Sequence, residues 1–241
     1  MRAAVRIAGL AALFLLCILP HLLSKALLGR SHVPPRFLGL AAWIVGARAS
    51  VRGDRVGAHS LLVANHTSWL DILILAGTTG CAFVSKDNLG HGFIHWLADQ
   101  NHTLYVSRAD RHGARDQALA LARKLDREQP VALFPEGTTG PGDRLLPFRP
   151  TLLEAATLAP ERVAIRPVAV DYGAAAAEIG WHGESGRDNV LRVLGRKGSL
   201  PVTVHLLAPL ERGGDRKALT AAAHAAIAAT LAASSLAPAR L

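Results

Sequence analysis

Strand-like and helix-like apolar segments alternate along most of this 241-residue sequence. That alternation predicts an α/β fold, a mostly parallel sheet flanked by helices. Half of the residues are hydrophobic, enough for a sizeable core. A charge-free apolar run at residues 7–24 predicts an N-terminal membrane-anchoring helical segment ahead of that fold. The division falls near residue 48, with anchoring helices over 1–48 and the α/β domain over 49–241.

The first run, IAGLAALFLLCILPHLLS, lies between Arg6 and Lys25. At about 1.5 Å per residue it reaches roughly 27 Å, just short of a hydrocarbon core. A second apolar run at 37–47 is too short to span a bilayer. Pro34 and Pro35 separate the two, which reads as helix, Pro-Pro turn and second helix lying in or dipping into one leaflet. A single spanning helix and a cleaved signal peptide also fit the run. The second fits poorly, because Lys25 occupies the small-x-small site Ser24-Lys25-Ala26.

Beyond residue 48 the segments follow in order. SLLVA at 60–64 is a short buried strand, and a helix starts at Trp69 and runs to Ala76. Residues 82–85 read as a strand, 92–99 as a short helix and 103–106 as a strand. Apolar residues at helical spacing (Ala118, Leu121, Ala122, Leu125) predict a helix over 115–127. Strands follow at 130–134 and 163–170, with a helix at 151–159 between them. The polar, Gly-rich stretch 180–199 reads as a loop or hairpin insertion. A last strand covers 202–207, and Asp215 caps an Ala-rich helix to about residue 234.

Twenty-seven Lys and Arg against eighteen Asp and Glu give a formal charge of +9. Such a balance suits polyanions: nucleic acid, anionic lipid or phosphorylated substrates. The basic residues are spread out, without the dense block interleaved with aromatics that single-strand binders carry. With the apolar N-terminus, membrane lipid is the expected partner and nucleic acid is not. Cys17 and Cys81 have no nucleophile context and form no disulfide framework; two small buried apolar side chains are expected. His91, His95 and His102 lack the further ligands a metal site needs, and no metal is expected.

In open α/β sheets, ligands collect at the carboxyl ends of the strands. Three polar clusters follow predicted strands: Asn65-His66-Thr67-Ser68, Ser107-Arg108 and Pro135-Glu136-Gly137-Thr138. His66 and Asp71 stand five apart, about 140° around a regular helix, and would not meet on one. With His66 in the loop and Asp71 in the first helical turn, the carboxylate reaches back. It then fixes the imidazole tautomer and leaves the other nitrogen as a general base. Ser68-x-x-Asp71 is also the spelling of a helix capping box, and on these residues alone the two readings weigh evenly.

Asn65-His66-Thr67-Ser68-Trp69-Leu70-Asp71 resembles the NHxSxxD box of the glycerolipid acyltransferase family, the lysophosphatidate acyltransferase group. Phe134-Pro135-Glu136-Gly137-Thr138 resembles that family's FPEGT box. The resemblance covers roughly residues 55–210. It implies that His66 deprotonates an acceptor hydroxyl, which attacks the thioester of acyl-CoA or acyl carrier protein, with Asp71 orienting the imidazole. No cofactor and no acyl-enzyme are involved.

Tyr105-Val106-Ser107-Arg108 is similar to the family's second box, which implies that Arg108 contacts an acceptor phosphate, with Lys86 nearby. Glu136, Gly137 and Thr138 then belong to the substrate site, and Ile165-Arg166-Pro167-Val168 resembles the fourth box. The family has an acid where Ser107 stands and an Arg where Thr139 stands. Arg144 and Arg149 are nearby candidates for the missing Arg. The acceptor implied is 1-acylglycerol-3-phosphate, giving phosphatidate, with another lysolipid such as lyso-ornithine lipid as the alternative. A non-enzymatic basic lipid-binding protein is the other class. The expected location is the inner membrane, with the catalytic domain in the cytoplasm.

Overall fold

The computed structural model describes residues 1–86, 92–106 and 114–236. Among these, strands β1 (Ala47–Arg52), β2 (Ser60–Ala64), β3 (Ala82–Lys86), β4 (Leu104–Val106), β5 (Val131–Leu133), β6 (Ala164–Asp171) and β7 (Leu200–Leu206) form one sheet. Its spatial order is β1-β7-β6-β2-β5-β3-β4. The β6–β7 pair is antiparallel and every other pair is parallel. The expected mostly parallel sheet is therefore present. β2, β3, β4 and β5 end on the same edge, where the sequence places its polar clusters.

Every residue of β2 is buried, as its unbroken apolar run demands. Alternation divides its side chains between two layers. Leu62 and Ala64 join the layer built by α2 (Val33–Val45), α3 (Leu70–Thr79) and α8 (Gly186–Gly195). Leu61 and Val63 join the layer of α5 (Ala114–Leu125), α6 (Glu154–Leu158) and α9 (Arg216–Leu236). Asp215 caps α9 as expected, its Oδ1 accepting from the Lys217 and Ala218 amides at 2.9 Å.

The N-terminal helices differ in detail from the expectation. α1 runs from Arg2 to Leu28, with Pro20 inside it and Gly29 closing it in the left-handed conformation. Pro34 and Pro35 form no turn between helices. They occupy the first turn of α2, where a missing N–H costs nothing. Arg6 and Lys25, which flank the apolar run of α1, have protein partners. Arg6 Nη1 donates to the carbonyls of Val193, Leu194 and Arg196 at 3.3, 2.9 and 3.0 Å, capping the C-terminus of α8. Lys25 Nζ donates to Gln100 Oε1 at 3.1 Å.

Phe14 of α1 stacks edge-on against Phe37 of α2 and against Phe93 and Trp96 of α4 (Phe93–Gln100). α2 meets α3 at a pair of glycines: a Cβ on Gly77 would stand 2.4 Å from the Gly39 Cα, so only glycine permits this approach. Leu15, Leu16 and Leu19 of α1 remain 62–74% exposed, and α1 is long and apolar enough to cross a membrane. α9 passes the same length and composition test, but Leu219, Ala223 and Ile227 bury one face of it in the core.

Three elements depart from the sequence reading, the shortest being the four-residue helix α7 (Ala176–Ile179). The stretch 180–199 contains helix α8, with Ser185 accepting from the Asp188 amide at its start, and is not a bare insertion. Residues 47–52 form β1, an edge strand for which no apolar alternation called, because its side chains beyond Ala47 are exposed.

Candidate active site

β2 ends at Ala64, and the chain turns into α3 through Asn65–Trp69. Asn65 fixes that turn. Its Nδ2 donates to the Val170 carbonyl at 3.0 Å and its Oδ1 accepts from the Val170 amide at 2.8 Å, so the buried side chain continues the β2–β6 pairing. The next residue is His66, whose Nδ1 lies 2.9 Å from Asp71 Oδ2. The same Oδ2 accepts from the amides of Thr67 at 2.7 Å and Ser68 at 2.9 Å. The capping and the pairing readings therefore hold together: one carboxylate closes the first turn of α3 and holds the imidazole.

Asp71 is fully buried, and the His66 side chain is 15% exposed. Oδ2 already accepts from two amides, so the ring donates to it through Nδ1, and in the neutral ring the lone pair then stands on Nε2. Nε2 has no partner among the described residues, and His66 lines a cleft of about 550 Å3. An imidazole on a cleft, braced from behind by a buried carboxylate, is equipped in its neutral form to take a proton from a bound hydroxyl.

A fourth donor to Asp71 is absent from the sequence reading. The Tyr172 hydroxyl, just past the end of β6, donates to Asp71 Oδ1. Burial first, then the Asp71 charge, pushes this hydroxyl well above its ordinary range, so it remains a donor. Tyr172 lies 101 positions from Asp71 and belongs to neither box. Its one signal is position, at the end of a strand beside the one that carries His66.

The Pro135–Thr139 segment clamps His66 from the other side. Glu136 is buried; its Oε1 accepts from the His66 amide at 2.6 Å and its Oε2 from the Leu146 amide at 3.2 Å. The Gly140 amide donates to the His66 carbonyl at 2.7 Å. Burial pushes the Glu136 carboxyl up to about 7, against those two backbone donors. Gly137 adopts φ +73°, which glycine accepts without a Cβ penalty, and its amide turns back to the Phe134 carbonyl. The Phe134 ring stacks on the His66 imidazole with centroids 3.9 Å apart.

The structure thus brings His66, Asp71, Glu136, Gly137 and Thr138 together. Gly137 and Thr138 line the cleft, whereas Glu136 sits behind it as a brace. Lys86 closes β3, on the same edge of the sheet, and its neighbours Val84 and Ser85 line the cleft. Arg108, with Ser107, lies outside the described residues, as does His91. Arg144 and Arg149 are exposed and are not among the cleft-lining residues. No group of three or more His, Cys, Asp or Glu side chains placed to hold a metal occurs among the described residues.

The cleft's other wall comes from the stretch that reads as a loop: Trp181, His182, Gly183 and Glu184. It is tied to both boxes. The Trp181 amide donates to the Thr67 carbonyl at 3.0 Å, and Thr139 Oγ1 donates to the Trp181 carbonyl at 2.8 Å. Thr139, in place of the family's Arg, is thus a structural tie.

Known proteins resemble this chain in sequence and in fold. The family model described as Acyltransferase matches residues 48–171. The lyso-ornithine lipid O-acyltransferase of Rhodobacter capsulatus is 35% identical over 205 residues, covering 81% of this chain and 74% of that protein. The 1-acyl-sn-glycerol-3-phosphate acyltransferase of Neisseria gonorrhoeae is 33% identical over 97 residues, 40% of this chain and 38% of that one. The crystal structure of PlsC, the 1-acyl-sn-glycerophosphate acyltransferase of Thermotoga maritima, superposes with a TM-score of 0.64 at 19% identity, over 86% of this chain and 80% of that chain. A family model matched over residues 48–171 and a relative 35% identical along most of both chains lead to one statement: the chain belongs to the acyltransferase family.

Proposed function

We propose that this acyltransferase moves a fatty acyl group from a thioester, acyl-CoA or acyl carrier protein, to the hydroxyl of a lysolipid. The observation that carries the reading is the His66–Asp71 pair at the end of β2, with Nε2 free on the cleft. His66 Nε2 takes the acceptor's hydroxyl proton while that oxygen attacks the thioester carbonyl carbon. The tetrahedral intermediate collapses, the C–S bond breaks, and the proton passes from His66 to the departing thiolate. Asp71 stabilises the imidazolium formed in between. No Ser or Cys needs to carry the acyl group.

Lyso-ornithine lipid is the favoured acceptor. The R. capsulatus relative matches over most of both chains, while the glycerol-phosphate relative from N. gonorrhoeae matches over 40% of this one. α1, α2 and their exposed leucines support anchoring in a membrane from which lysolipid enters the cleft. A formal charge of +9 suits either acidic carrier and an anionic leaflet, in keeping with the inner membrane and a cytoplasmic active site.

The test supplies detergent-solubilised protein with labelled acyl-CoA or acyl carrier protein and, separately, lyso-ornithine lipid, lysophosphatidate and a neutral lysolipid. Labelled product on lyso-ornithine lipid is expected. Product on lysophosphatidate alone would move the acceptor while keeping the chemistry, and free fatty acid as the main product would make the protein a hydrolase.

A further inference from the structure

Among the described residues lining the cleft beside His66, one carries a formal charge at neutral pH, and it is acidic: Glu184. This carboxylate is built in. Its Oε1 accepts from Asn189 Nδ2 at 2.8 Å and from Arg192 Nη2, and its Oε2 accepts from Arg192 Nε at 3.4 Å. Asn189 is fully buried, and its Oδ1 accepts from Trp69 Nε1 at 3.0 Å. A chain of hydrogen bonds therefore runs from Trp69, between His66 and Asp71 in sequence, to Glu184. The Trp181 indole closes the loop by donating to the Glu184 carbonyl at 3.2 Å.

The carboxylate keeps capacity for a ligand. Two oxygens offer about four acceptor positions, and three are used; the side chain is 25% exposed. The Arg192 contacts, and then Asn189, hold its carboxyl below the ordinary range, so it is ionised at neutral pH. Arg192 balances its charge, but the carboxylate still offers a ligand an acceptor and no donor, which suits an ammonium group and gives a phosphate monoester no partner.

We propose that Glu184 selects the acceptor by receiving a cationic amine of its head group, so that lysolipids bearing a primary ammonium are preferred over phosphate-monoester lysolipids. The inference rests on the acyl-transfer reading of His66 and names the substrate class of that same site. His182, exposed on the same loop, offers the second polar contact on this wall.

The experiment is a cycle of enzyme and substrate changes in the full-length protein. Wild type and Glu184→Gln are each assayed with lyso-ornithine lipid, with its N-acetylated form, which lacks the ammonium charge, and with lysophosphatidate. Acetylation should lower kcat/KM of the wild type by about tenfold to a hundredfold, the range of one charge-assisted hydrogen bond. Glu184→Gln should lower the kcat/KM ratio of lyso-ornithine lipid to lysophosphatidate by the same factor, through KM. The two changes together should cost no more than either alone.

Fully additive losses, or a ratio within twofold of wild type, would overturn the proposal. The acetylated lipid tests it in the wild type even if the variant folds poorly: an unchanged kcat/KM there also overturns it. Wild type that acylates lysophosphatidate but no amine-bearing lipid removes this inference and leaves acyl transfer standing. Transfer to no lysolipid removes both.

Discussion

The Tyr172 hydroxyl is the donor to Asp71 Oδ1, and Tyr172→Phe removes it with little change of shape. Asp71 is fully buried and Tyr172 is 4% exposed, so no water takes the vacated place without repacking. A hydrogen bond to a buried charged acceptor contributes about 1.5–3 kcal/mol, which for a chain of this size corresponds to a melting point lower by roughly 4–10 °C. The three donors on Oδ2 remain, so the His66–Asp71 pair persists, but the carboxylate loses the contact that fixes its rotation. Because Tyr172 does not line the cleft, the loss falls on kcat, by about tenfold, with the acceptor KM within twofold. The assay pairs steady-state kinetics with a thermal melt in the same detergent. A variant that melts with the wild type and keeps its kcat would refute the positioning role. A raised KM with unchanged kcat would put Tyr172 on the substrate instead.

Two further expectations follow from the same geometry. The Glu136 carboxyl is held at about 7 in the folded protein against 4.5 ordinarily. A raised folded value means that the folded state holds the proton more tightly. The stability this contributes is present below about pH 4.5 and lost as pH rises through about 7, by at most about 3 kcal/mol. Denaturant melts of wild type and Glu136→Gln at pH 5 and pH 8 should therefore diverge, the wild type losing ground at pH 8; parallel behaviour would contradict the burial cause. Replacing the exposed Leu15, Leu16 and Leu19 of α1 by Glu should move the protein from the vesicle pellet to the supernatant without changing its melt, and persistence in the pellet would remove α1 as the anchor.

The legible part of the fold was its local part. β2 reads directly from SLLVA because both of its faces are buried, and α5 reads because it buries one stripe. β1 was illegible because an edge strand with exposed side chains carries no apolar alternation; its partner β7 defines it. α8 was hidden because its register is held from outside. Arg6, some 190 positions away, caps its last carbonyls, and Asn189 is buried as a polar hub that composition reads as loop. α1 extends past its apolar run at both ends: Arg6 and Lys25 look like boundaries, yet both are satisfied by distant carbonyl and amide oxygens.

The site divides the same way. His66 and Asp71 were legible because one turn of chain brings them together. Glu136 was legible as a site residue, but its place behind His66 rests on a contact 70 positions away. Tyr172 and Glu184 carry no motif; the pairing of β6 with β2 brings in the first, and the Trp69–Asn189–Glu184 hydrogen bonds bring in the second.

The central claim is that His66 Nε2 takes the acceptor's proton. The direct measurement is single-turnover acyl transfer from labelled thioester to lyso-ornithine lipid, wild type against His66→Ala, with melts and vesicle binding run on both. A general base of this kind contributes about 10²–10⁴ in rate. The account predicts a loss in that range, with an unchanged melt and unchanged membrane binding. A variant that transfers within a few-fold of the wild-type rate would contradict it.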